Sequence, residues 1–269
     1  MGLKGAILGD ILCSQYEHSA DNKHNEIAIL LTDKCHFTGN TVQLLATKYA
    51  LLHGIPFADA YAFFCNKYLN VGYSDTLTKW LLSEDLNPCR CDDFCTGVRV
   101  ASLVDCYDTI KNIQDTAALS AASTHDSVEA SKGAIVTSTC IWMAKSGYNK
   151  DDILHYVSTC YTPDMYAYSP VNSLNEMRKN KWEDDTCSKV VPLAIRCIYE
   201  ANTFEKFIQN IISIDCDASA VGAIGGGIAE ELFDRTADPF LLQLNDIVDN
   251  QLTVFLSDVL HAEPKQINQ

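Results

Sequence analysis

Two carboxylates far apart in the chain, Glu17 and Asp217, are of the type that hydrolyses a glycosidic bond without a metal. That reaction sets a separation between the two groups which spacing along a sequence does not give. Glu17 also suits a general base if burial raises its pKa. Cys89, Cys91 and Cys95 fall close together, but C-x-C-x3-C is not a zinc pattern, and no second cysteine pair or histidine pair follows. The sequence holds neither a G-x-S-x-G elbow nor a phosphate loop. The run Gly225 to Gly227 follows a helical pattern, not a strand, and reads as packing.

The elements that must position these groups read as helices. Apolar residues recur at three- and four-residue spacing over Asn40 to Leu52 and Phe57 to Tyr68. Ser127 to Ser146 continues the pattern and stops at Gly147, a suitable C-terminal residue. Asp151 to Cys160, Val190 to Glu200, Phe204 to Ile212, Val221 to Phe233 and Phe240 to Leu260 follow with the same period. Small residues in the first helix (Gly2, Gly5, Ala6, Gly9) and over Gly222 to Gly227 predict close helix contacts. Period-two alternation is nearly absent, so the expected class is all-α. Tyr161 to Asp185 is the least regular stretch and reads as a solvated connection or a lid.

Length and charge narrow the function. A chain of 269 residues is at the upper edge of what one core supports, and it reads as a single domain over residues 1–269. No apolar run approaches the ~20 residues of a membrane span, and Gly and Asp interrupt the first apolar stretch where a signal peptide needs continuity. The expected location is the cytoplasm, with the twelve cysteines reduced. A net charge of −15 argues against nucleic acid or an anionic membrane as partner. It leaves room for one small anionic ligand, which helix N-termini can hold.

Five motifs occur in a telling order. They are G-A-I-L-G-D-I-L-C-S-Q-Y-E (Gly5 to Glu17), F-T-G-N-T (Phe37 to Thr41), S-T-H-D-S-V-E-A-S-K-G-A (Ser123 to Ala134), T-C-S-K-V-V-P-L-A-I (Thr186 to Ile195) and I-S-I-D-C-D-A-S-A-V-G-A-I-G-G-G-I-A-E (Ile212 to Glu230). In this order and register the chain resembles the ADP-ribosylglycohydrolases, particularly their compact bacterial-type members, over roughly residues 2 to 235. The resemblance implies a compact helical bundle around a cleft holding two magnesium ions. It also implies cleavage of the bond joining ADP-ribose to arginine, serine or another acceptor. Magnesium takes hard oxygen ligands, which is why such proteins place carboxylates and threonine hydroxyls there.

Carried over residue by residue, the resemblance assigns the first metal motif, F-T-D-D-T, to Phe37, Thr38, Gly39, Asn40 and Thr41. Both aspartates are replaced. The second motif, G-G-D-S-D-T, falls on Asp215, Cys216, Asp217, Ala218, Ser219 and Ala220. Asp217 keeps the first acidic position, whereas Ser219 and Ala220 replace an aspartate and a threonine. The remaining metal candidates are Thr38, Asn40, Asp217 and the added carboxylate Asp215. Neutral Asn40 and Ser219 do not offset a divalent charge, so weak or lost magnesium binding is expected. Glu17 matches a glutamate near the metals and is the catalytic candidate. His125 falls on a T-H motif near the ligand, or else is a hydrogen-bonded core histidine. Gly97 and Arg99 persist loosely in C-T-G-V-R-V, where relatives carry N-G-S-A-M-R-V, and are ligand-binding candidates. Asp10 reads as fixing the first helix turn.

The leading expectation is an ADP-ribosylglycohydrolase-like protein impaired or inactive as a hydrolase, binding ADP-ribose or an ADP-ribosylated protein, or acting as a scaffold. The alternative is an active hydrolase with a site rebuilt around Glu17, Asp215 and Asp217.

Overall fold

A computed structural model describes residues 2–17, 32–165, 169–179 and 186–233. Helix α1 (Leu3–Cys13) and helix α12 (Ala218–Phe233) form its centre. Each is apolar or small on nearly every face, and a helix of that kind is stable only when surrounded. The two backbones touch. A Cβ on Gly9 would lie 1.9 Å from the Gly222 carbonyl oxygen, and one on Gly5 would lie 2.3 Å from that of Gly226. Only glycine permits this approach, so the small-residue pattern sets how α1 lies on α12.

The other helices enclose that pair. They are α2 (Gly39–His53), α3 (Phe57–Lys67), α4 (Asp75–Leu81), α5 (Cys95–Val98), α6 (Ile110–Ala122), α7 (Val128–Lys145), α8 (Lys150–Cys160), α9 (Leu174–Met177), α10 (Cys187–Tyr199) and α11 (Phe204–Ile212). α7, α10 and α11 pack on α12, while α6 and α8 lie outside α7. α2 divides its apolar residues between two cores. Leu44 and Leu45 enter the main core, and Val42, Ala46 and Ala50 enter a satellite core shared with Ala60 and Phe64 of α3 and Leu77 and Trp80 of α4. A groove therefore opens at the N-terminus of α2, between the two clusters.

The all-α expectation holds: among the described residues there is no strand, only isolated bridges at Cys89–His125 and Asp93–Thr186. α2, α3, α7, α8 and α11 lie where their periodicity placed them. α10 starts three residues earlier, at Cys187, and runs through Pro192. α6 was missed, although Thr109 accepts a capping hydrogen bond from Asn112 N and Ile113, Ala117 and Ala121 are buried at helical spacing. α4 was missed because it is only seven residues long. The helix expected over Phe240 to Leu260 lies outside the described residues, as do parts of Tyr161 to Asp185. The described remainder of that stretch includes α9, started by a Ser173–Glu176 capping box. Among the described residues no disulfide forms, and no helix is long and apolar enough to cross a membrane.

Candidate functional site

The groove at α2 is a cleft of about 730 Å³, within the range of small-molecule sites. One wall is built by the first turn of α2 (Thr38, Asn40) and the start of α12 (Asp217, Ser219), with Glu17 at its rim. The opposite wall carries Thr76 and the segment from Cys91 to Cys95, and the loop 70–75 runs between them. Glu17, Asp75, Asp92, Asp93 and Asp217 all face the cleft, and no lysine or arginine does so among the described residues. Tyr73 and Phe94 supply its aromatic surface.

On the first wall the polar groups are bonded to one another. Asp10 is fully buried in α1 and accepts five hydrogen bonds from the cap and first turn of α2. Thr38 donates from its N–H at 3.0 Å and its hydroxyl at 2.6 Å, Thr41 from its N–H at 3.3 Å and its hydroxyl at 2.6 Å, and Asn40 from Nδ2 at 3.2 Å. Burial raises the Asp10 carboxyl above the ordinary carboxylate range, while the hydrogen bonds from Thr38, Thr41 and Asn40 pull it down. Asn40 Nδ2 also donates to Ser219 Oγ at 3.2 Å, and Ser219 donates to Asp217 Oδ1 at 3.0 Å. Asp217 Oδ1 further accepts the Ala220 N–H at 2.9 Å. Because a carboxylate only accepts, the Asn40 group facing Asp10 is its amide NH₂, which presents hydrogens and not lone pairs. The α2 N-terminus has no donors left for an anion: Gly39 N–H reaches the Val71 and Gly72 carbonyls, Asn40 N–H reaches Thr38 Oγ1, and Thr41 N–H reaches Asp10. Gly39 is closely covered, since a Cβ there would lie 2.3 Å from both the Gly72 oxygen and the Tyr73 ring.

The second wall is arranged differently. The two bridges hold residues 89–93 between the segment of His125 and the start of α10: Cys89 N–H donates to Thr124 O at 2.9 Å, and Cys187 N–H to Asp92 O at 3.0 Å. Asp93 Oδ1 accepts the Cys95 N–H at 2.8 Å, starting α5, and Oδ2 accepts the Thr76 hydroxyl. His125 lies behind, with Nε2 3.2 Å from Thr76 Oγ1 and 3.8 Å from Asp93 Oδ2. Its Nδ1 is 2.7 Å from Thr124 Oγ1 and 3.8 Å from Cys95 Sγ. Arg99 donates to Thr124 Oγ1 at 2.7 Å, so that hydroxyl turns its own hydrogen to Nδ1 and Nε2 carries the imidazole proton toward Thr76. Burial, and then the nearby Arg99 charge, lower the His125 pKa to about 4, so the ring is neutral at pH 7. Burial, and then the Asp93 charge, push the Cys95 thiol well up.

The structure brings Thr38, Asn40, Asp217 and Glu17 to one cleft. Asp215 does not line it. His125 is completely buried and reaches the cleft through Thr76, Asp93 and Cys95. Gly97 and Arg99 are buried in α5 and at its end, away from the cleft surface. The Arg99 guanidinium stacks 4.1 Å over the Tyr61 ring and donates to Ser120 O at 2.7 Å. Sequence reasoning missed Asp93 and Thr76 and gave Asp10 a local role. The available signal for Asp93 was an aspartate two residues before the N-terminal residue of a helix.

This all-α architecture is that of an ADP-ribosylglycohydrolase-related protein. Among solved structures, one described as an "ADP-ribosylglycohydrolase-related protein complex" matches with a TM-score of 0.69 at 18% identity, covering 96% of this chain and 95% of that one. No family model matches the sequence, and no curated protein matches it.

Proposed function

We propose that this chain is an ADP-ribosylglycohydrolase-like protein that has lost magnesium-dependent hydrolysis and keeps its cleft for the nucleoside part of an ADP-ribose-type ligand. The observation that carries this reading is the placement of Asn40, whose amide hydrogens point at Asp10 and Ser219 in the middle of the corresponding metal wall. An NH₂ group there repels a cation, and the oxygens around it are already occupied by hydrogen bonds. The donor set does not fit magnesium, which needs near-octahedral oxygen coordination. Gly39 supports the same reading, because the loop 70–73 fills the space an aspartate would need.

The acidic lining bears on the ligand. A diphosphate entering beside Glu17, Asp75, Asp92, Asp93 and Asp217 meets repulsion with no arginine or lysine among the described lining residues to offset it. A base or ribose meets hydrogen-bonding groups together with Tyr73 and Phe94. Titration calorimetry with ADP-ribose and with adenosine, each with and without Mg²⁺, tests this. The expected result is magnesium-independent binding, adenosine at least as tight as ADP-ribose, and no ADP-ribose released from modified arginine or serine peptides. ADP-ribose binding that tightens markedly with Mg²⁺ would overturn the reading. It would favour the alternative, a working hydrolase, whose support is that Glu17 and Asp217 face the same cleft. Absence of heat with every ligand would leave a scaffold.

A further inference from the structure

The second wall of the cleft gathers three different donor types at one point. A carboxylate oxygen of Asp93, the Cys95 sulfur and a ring nitrogen of His125 all lie within 4.8 Å of one another. The three residues are 6%, 1% and 0% exposed. We infer that Asp93, Cys95 and His125 form a binding site for a zinc-class transition-metal ion, with its fourth position open to the cleft.

The chemistry of the donors separates this site from the oxygen-rich wall opposite. One sulfur, one imidazole nitrogen and one carboxylate oxygen suit Zn²⁺ or Co²⁺ and not Mg²⁺. Bonds of about 2.0–2.3 Å to a tetrahedral ion put neighbouring ligand atoms roughly 3.3–3.6 Å apart. The Asp93 Oδ2–His125 Nε2 distance of 3.8 Å is close to that, and the loosest pair, within 4.8 Å, contracts by up to about 1.5 Å. Asp93 lies on the Nε2 side of the ring, 3.8 Å away, and Thr124 Oγ1 covers Nδ1 at 2.7 Å, so Nε2 is the ligating nitrogen. In the occupied site the imidazole proton sits on Nδ1 and is donated to Thr124 Oγ1 at 2.7 Å, the kind of outer hydrogen bonding that fixes a metal-binding histidine. Thr124 Oγ1 then accepts from both Nδ1 and Arg99 and turns its own hydrogen away, and the Thr76 hydroxyl, 3.2 Å from Nε2, turns aside for the ion. Charge balances in the occupied site. Cys95 releases its proton to solvent, and thiolate plus carboxylate neutralise a divalent ion in a buried position. Cys95, Asp93 and Thr76 line the cleft, so the remaining coordination position faces it and can take water or a ligand group.

Co²⁺ added to the reduced, full-length protein tests the site through thiolate-to-cobalt charge-transfer absorption, followed by displacement with Zn²⁺. The expected result is one Co²⁺ per chain with that absorption, displaced by Zn²⁺ and not by excess Mg²⁺. Cys95→Ser should abolish the band at an unchanged melting temperature, and Asp93→Asn should weaken Co²⁺ binding about tenfold or more. Joint replacement Cys89→Ser and Cys91→Ser should leave the band intact. No charge-transfer band in the native protein, a band that survives Cys95→Ser, or one lost only in the Cys89/Cys91 variant would each overturn the site. Should Cys95→Ser melt far below the native protein, Asp93→Asn carries the test, and undiminished Co²⁺ affinity there overturns it. The outcome is independent of the ADP-ribose titration, which reads the whole cleft and not its sulfur ligand.

Discussion

The two walls of the cleft are built from similar residues and end in opposite states. Each holds a buried carboxylate, Asp10 on one and Asp93 on the other, with threonine hydroxyls donating to it. Asp10 faces the N-terminus of a long helix, where backbone N–H groups and the side chains of Thr38, Asn40 and Thr41 converge on it. Asp93 faces a four-residue helix, one hydroxyl and a neutral imidazole. The first carboxylate is used up in holding α2 onto α1. The second has a sulfur and an imidazole of a different donor type beside it.

The largest test of that comparison is removal of each carboxylate in turn. Asp10→Ala leaves the donors of Thr38, Asn40 and Thr41 buried without an acceptor, and should cost on the order of 3–5 kcal/mol in urea unfolding. Asp93→Ala should cost less, about 1–2 kcal/mol, because Thr76 borders the cleft and water can replace the lost acceptor. Equal losses would break the comparison. Gly39→Ala probes how firmly the first wall is closed. Its Cβ meets the Gly72 carbonyl and the Tyr73 ring, and a loss of about 2–3 kcal/mol is expected. A tolerated alanine would mean that the loop 70–73 yields and that an acidic wall can be rebuilt.

A third, half-buried carboxylate sharpens the point at the smallest scale. Glu230 accepts one hydrogen bond at the N-terminus of α1, from Gly5 N–H at 2.7 Å, where Asp10 has five. Burial, opposed by that bond, raises its pKa from 4.5 to about 7. The folded state therefore holds this proton more tightly than the unfolded chain. Its stabilising contribution is complete below pH 4.5 and is lost as pH rises through 7. Comparing unfolding of the native protein and Glu230→Gln from pH 4.5 to 8 should show a difference that grows by about 2 kcal/mol and then levels off. A flat difference would place the Glu230 carboxyl in water.

Much of the fold is local and was legible. The F-T-G-N-T motif opens α2 with Thr38 as its N-terminal cap, and Gly5, Gly9, Gly222 and Gly226 do make the close helix contact their spacing implied. The site was legible only in part. Thr38, Asn40, Asp217 and Glu17 meet in the cleft, whereas Gly97 and Arg99 do not reach its surface. Arginine is ordinarily exposed, and nothing in C-T-G-V-R-V tells that Arg99 stacks on Tyr61 and donates to Ser120 and Thr124.

The sequence by itself determined the helices and the central seam, because periodicity, caps and small residues act within a few positions of one another. Tertiary structure alone decided which polar groups are spent and which remain. Asp10 sits 28 to 31 residues from its donors, and Asn40 lies 179 residues from Ser219. Asp93 shares its environment with a threonine 17 residues before it and a histidine beyond α6. Hydrogen bonds and charge depend on distances of a few ångströms in space, and those distances exist only after the two cores have closed around α2.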